Sequence, residues 1–76
     1  MKTVNGLLLK KGLIAVPSSF VKTLELNDKF EVQISKDTYV CQLTKKEKHE
    51  DARFTWFSTK IECLSDNVSV TEYTTI

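Results

Sequence analysis

Seventy-six residues with a formal net charge of +1 make a single domain, and a chain this short buries only roughly 60% of the surface its unfolded form exposes. Hydrophobic residues make up 41% and charged residues 28%, with two glycines and one proline, which excludes disordered, collagen-like and low-complexity classes. So small a core is not easily hollowed, so a self-sufficient enzyme with a deep, fully lined pocket is excluded and binding is expected, with dimerisation enlarging the core.

In chain order, Leu7 to Leu9 and Leu13 to Val16 are short apolar runs separated by Lys10-Lys11-Gly12. They read as two buried strands around a turn, or as one strand with a bulge at the glycine. Pro17 suits the first position of a helix, where its missing N–H goes unneeded, and it forces Val16 into the extended conformation that ends the strand. Phe20, Val21 and Leu24 then share one face of a short helix over Ser18 to Leu26, with Leu26 as a further apolar position. At about nine residues this helix must lean on a sheet.

Asn27-Asp28-Lys29 is turn chemistry. Phe30, Val32 and Ile34 alternate with Glu31, Gln33 and Ser35, Lys36-Asp37 makes a tight turn, and Tyr39, Cys41 and Leu43 share the face of a second strand. The run Lys45 to Asp51 is charged throughout and is expected to be a loop dividing the chain in two. Beyond it, Arg53 to Leu64 has strand composition but mixed faces: Phe57, Thr59, Ile61 and Cys63 lie on one side, Phe54 and Trp56 on the other. A bulge near Phe57-Ser58 would reconcile them; otherwise two aromatics are left for a partner. After the turn Ser65-Asp66-Asn67, a last strand from Val68 through Val70 to Tyr73 is polar enough, with Thr71, Thr74 and Thr75, to be an edge. The expected fold is α+β and mainly β: one domain of about six short strands and one short helix, with an added C-terminal β-hairpin over 52–76.

No apolar run reaches the roughly 20 residues of a membrane span, and no signal-peptide pattern opens the chain. A cytoplasmic protein without membrane attachment is expected. Cys41 and Cys63 could form one disulfide, but small secreted scaffolds usually carry more, so reduced, buried thiols are expected. Residues 1–48 hold nine lysines against five acids, net +4, and residues 49–76 hold two bases against five acids, net −3. The basic part suits an anionic partner and the acidic part a basic one.

The segment Gly12-Leu13-Ile14-Ala15-Val16-Pro17, with Phe20 three and Leu24 seven residues after the proline, then Leu24-Glu25-Leu26 and the strand Phe30 to Ile34, resembles the AbrB/MazE family of swapped-hairpin DNA-binding domains. The likeness covers residues 4–45. It implies a swapped-hairpin-like β-barrel, a homodimer sharing one core, and a transcriptional regulator or antitoxin-like protein gripping duplex DNA. The chain departs from the family at its charges: Leu13 stands where an arginine commonly follows the glycine, Ala15 where some members are basic, and Glu25 where the helix exit usually has glycine. Lys2, Lys10, Lys11 and Lys22 are left as the candidate DNA-binding cations. Lysines attract phosphates without the bidentate fork that reads guanine, so binding would be weak or nonspecific.

Arg53, Phe54, Trp56 and Lys60 form the other candidate site, for a protein partner or for stacked bases. The competing reading packs Trp56 into the core. An exposed Trp56, with the acidic C-terminal segment, leads instead to an alternative function, a protein-binding modulator or inhibitor that keeps the fold without specific DNA binding. No catalytic, metal or cofactor site is expected. His49 falls in the charged loop, Cys41 on a core-facing strand where a buried thiol is inert, and Cys41, His49 and Cys63 lack zinc-ligand spacing. Gly6 and Gly12 make no phosphate loop.

Overall fold

A computed structural model describes residues 1–74, so Thr75 of the expected edge strand lies outside the described residues. Its elements are β1 (Lys2–Asn5), β2 (Leu7–Lys10), β3 (Leu13–Pro17), α1 (Ser18–Val21), β4 (Lys29–Ile34), β5 (Asp37–Glu50), β6 (Thr55–Cys63) and β7 (Ser69–Tyr73). The seven strands form one sheet in the order β1-β4-β5-β6-β7-β3-β2. β1 runs parallel to β4 and β3 parallel to β7, while the other pairs are antiparallel.

The two outermost strands, β1 and β2, are consecutive in the chain and joined by Gly6 alone, so the sheet curls into a nearly closed barrel. The Gly6 N–H donates to Gln33 O at 2.9 Å, carrying the β1 ladder one residue further. Leu7 then pairs with Ala15 across the β2/β3 ladder. A Cβ at position 6 would lie 2.5 Å from Val32 Cγ1 and 3.0 Å from Ala15 O. The chain can make this crossing because residue 6 has no side chain.

Alternation predicts the core well. Ile14, Val16, Val21, Leu24, Phe30, Val32, Cys41, Leu43 and Ile61 are buried together, and Phe20 sets its ring edge-on to Phe30 with centroids 5.3 Å apart. Each such side chain contributes about 1.5–3 kcal/mol on burial. The helix is shorter than expected, four residues in place of nine. Pro17 is its N-cap and the last residue of β3, with φ −65° and ψ 135°. The turn that follows still delivers Leu24 to the core, while Leu26 is exposed.

Several expectations are corrected. The turn reading of Lys10-Lys11-Gly12 holds, with Gly12 at φ 81° between β2 and β3, and the alternative of a bulge at the glycine does not, since the register irregularity lies between Leu8 and Lys10. β2 is not buried: Leu7, Leu8 and Leu9 are 50%, 59% and 54% exposed. It is the terminal strand, and Ile14 and Val16 of β3 already fill the interior beside it. The β4/β5 turn is Ser35-Lys36, one residue early, with Ser35 at φ 55°. Lys45 to Glu50 is strand, so no charged loop divides the chain. The last strand is not an edge, although β6 and β7 are consecutive antiparallel neighbours. β6 pairs with β5, meets β7 at the single pair Glu62↔Ser69, and β7 lies between β6 and β3 away from the sheet's edge.

Candidate binding arm

The core ends at the pair Leu43↔Ile61, but β5 and β6 continue together from Lys45↔Lys60 to Glu50↔Thr55. The result is a two-stranded arm on an elongated molecule of 44 × 26 × 19 Å. Its tip, residues 51–54, is closed by the Asp51 N–H donating to Phe54 O at 2.9 Å. Thr44 is the extra residue of a bulge at the root, between Leu43 and Lys45. Bulges bend a strand and shift its pairing by one. Here the shift places His49, and not Lys48, opposite Trp56.

A run of charged residues holds a strand because its neighbours cancel the charge and cover the rings. Residues two apart share a face, and Lys45 pairs with Glu47 at 3.4 Å, Lys48 with Glu50 at 2.9 Å and Lys60 with Glu62 at 3.4 Å. The His49 and Trp56 rings stack 5.1 Å apart at 19°. Phe54 lies 5.1 Å from Trp56 at 41°. On the opposite face the Lys46 ammonium sits 5.1 Å over the Phe57 ring and donates to Leu24 O at 2.6 Å, tying the arm's root to the end of the helical turn. An open groove of about 440 Å³ runs between α1 and this face, past Val21, Lys22, Phe57 and Glu72.

Of the expected partner-binding residues, Arg53, Phe54 and Trp56 come together at the tip. Phe54 is 58% and Trp56 43% exposed, so Trp56 is not part of the core and no bulge at Phe57-Ser58 turns it inward. Lys60 shares their face but stands four residues down β6, about 13 Å from Trp56 at strand rise. The expected DNA-binding lysines do not converge. Lys2 pairs with Asp28 at 3.7 Å and donates to Thr23 O at 3.4 Å, with Lys22 next to that carbonyl in sequence. Lys10 and Lys11 flank the β2/β3 turn, whose Gly12 carbonyl accepts from the Ser69 N–H at 2.8 Å. Lys2 opens β1, whereas Lys10 ends β2, at the other end of the strand order.

His49, Lys46 and Phe57 were missed as parts of the site. The signal that could have found them is length: Arg53 to Leu64 is a long strand pattern that needs an equally long partner, and Lys45 to Glu50 is the only segment adjacent to it. Ser58 Oγ lies 2.7 Å and Glu47 Oε2 3.9 Å from His49, but both address the same nitrogen, Nε2. A proton relay needs the two ring nitrogens to face different groups, so this trio is no catalytic triad. Burial, and then the neighbouring Cys63, push the Cys41 thiol up to about 12, far from a reactive thiolate. Cys63 is only half-buried, unlike the expectation for both cysteines.

Among the described residues no three His, Cys, Asp or Glu side chains are grouped to hold a metal, and no helix is long and apolar enough to cross a membrane. No family model, curated protein or solved structure matches the chain.

Proposed function

We propose that this chain is a non-catalytic protein-binding modulator whose contact element is the tip of the β5–β6 arm. The observation that carries the reading is the exposed Phe54–Trp56 pair beside Arg53 on a hairpin that stands beyond the core. Tryptophan and arginine are the residue types most enriched among interface hot spots, and a stacked indole loses little conformational freedom on docking. The partner it fits offers an apolar socket with an acidic rim for Arg53. Neither cofactor nor metal enters this reading, and a cytoplasmic location goes with it.

The alternative is a DNA-binding regulator or antitoxin-like protein of AbrB/MazE type. It draws support from Lys10 and Lys11, which project at a turn without an ion pair among the described residues, and from the likeness of residues 4–45. Against it weigh the scattering of the four lysines and the pairing of Lys45, Lys48 and Lys60 with glutamates, which leaves little concentrated positive charge for phosphates. A homodimer fits either function, since Leu7 to Leu9 expose apolar surface on a strand with one open edge.

The two readings separate in one titration. Labelled random duplex DNA at low salt, followed by fluorescence polarisation, is expected to show no binding at micromolar protein. Saturable binding that disappears in the Lys10→Glu, Lys11→Glu double variant would restore the DNA reading.

A further inference from the structure

We propose that Cys41 and Cys63 form a thiol–disulfide site, oxidised by a low-molecular-weight disulfide of the glutathione type, that covalently joins β5 to β6 at the root of the arm. The two residues face each other directly across the ladder. The Leu64 N–H donates to Val40 O at 2.7 Å, flanking the cysteine pair on one side. Hydrogen-bonded and non-hydrogen-bonded pairs alternate in an antiparallel ladder, so Cys41 and Cys63 occupy a non-hydrogen-bonded pair, where Cα atoms approach to about 4.5 Å. That separation lies inside the span a disulfide bridges, roughly 4.4–6.8 Å. The two sulfurs are not bonded in this structure, with Cys41 buried and Cys63 half-buried.

This asymmetry orders the chemistry. The Cys63 thiolate attacks one sulfur of the small disulfide, forming a Cys63–S–S–R bond and expelling one thiolate, which takes up a proton. Cys41 then loses its proton and attacks the Cys63 sulfur, forming the Cys41–Cys63 bond and expelling the second thiolate. Two electrons pass to the small disulfide, which leaves as two thiols. Burial and Cys63 together hold the Cys41 thiol protonated, and capping Cys63 removes the second of these restraints before Cys41 must react.

The full chain, incubated with oxidised glutathione under native conditions, is analysed by intact mass and non-reducing peptide mapping. The expected product is a monomer lighter by two hydrogen atoms with Cys41 linked to Cys63. Cys41→Ala is expected to stop at a glutathione adduct on Cys63, and Cys63→Ala to stay unmodified. Should either variant fail to fold, the wild-type time course decides, with a Cys63 adduct appearing before the internal bond. A wild-type chain that halts at the adduct, links only between molecules, or reacts only in denaturant would overturn the site.

Discussion

Trp56 lies directly across the β5–β6 ladder from His49, the two rings stacked 5.1 Å apart, and the Phe54 ring lies 5.1 Å from the indole at 41°. The indole is 43% exposed, outside the buried core, and its ring stacks on its cross-strand neighbour. Trp56→Ala is therefore expected to cost less than about 1 kcal/mol of stability, the range of a cross-strand pair. Leu43→Ala, in the core at the arm's root, is expected to cost about 3 kcal/mol. Urea denaturation of both variants checks the contrast. Iodide should also quench Trp56 emission readily in the folded chain.

Gly6 is where the chain passes from one edge of the sheet to the other. Any Cβ there meets Val32 and the Ala15 carbonyl. Gly6→Ala is expected to destabilise by about 1–3 kcal/mol, the usual cost of overpacking. Shortening the neighbour in the Gly6→Ala, Val32→Ala double variant should cost less than the sum of the two single changes, which a double-mutant cycle reads directly.

The Cys41 thiol carries a signed pH dependence. Its folded-state value is raised from 9.0 to about 12, so the unfolded chain releases this proton first as pH rises. The contribution is fully present below pH 9 and is lost between pH 9 and 12. Relative to Cys41→Ala, the wild type is expected to lose about 2 kcal/mol between pH 9 and 11, following from 1.4 kcal/mol per unit. Denaturant melts of the pair across that window measure the difference, and lysine and tyrosine titration cancels between them.

The barrel's interior was legible in the residues because burial there follows period-two alternation: Phe30, Val32, Cys41 and Leu43 were placed correctly by that rule alone. The Lys10-Lys11-Gly12 turn was legible because positive φ favours glycine. The arm was not. Its charges are neutralised by neighbours two residues away on the same strand, and a local pattern cannot distinguish such a ladder from a solvated loop. β7 was misplaced for a different reason. Its main partner, β3, is about 56 residues earlier in the chain, and parallel pairing at that separation leaves no local signature. β2 was misjudged because three leucines in a row read as buried whether or not a neighbour covers them.

Lys10 and Lys11 contribute little to the fold in this account. The Lys10→Glu, Lys11→Glu double variant is expected to change stability by less than about 0.5 kcal/mol, as surface substitutions usually do. Thermal melting of the variant beside the wild type checks this, and shows that any change in its binding is not a folding defect.

The claim that the arm's tip is a protein-contact element is tested most directly by a photo-crosslinking phenylalanine analogue at position 54, in cells that naturally make this chain. A discrete covalent product with one protein is expected, lost in the Trp56→Ala background and kept when Lys10 and Lys11 are both replaced by glutamate. Crosslinks to nucleic acid alone, no macromolecular product at all, or the same product after Trp56→Ala would contradict it.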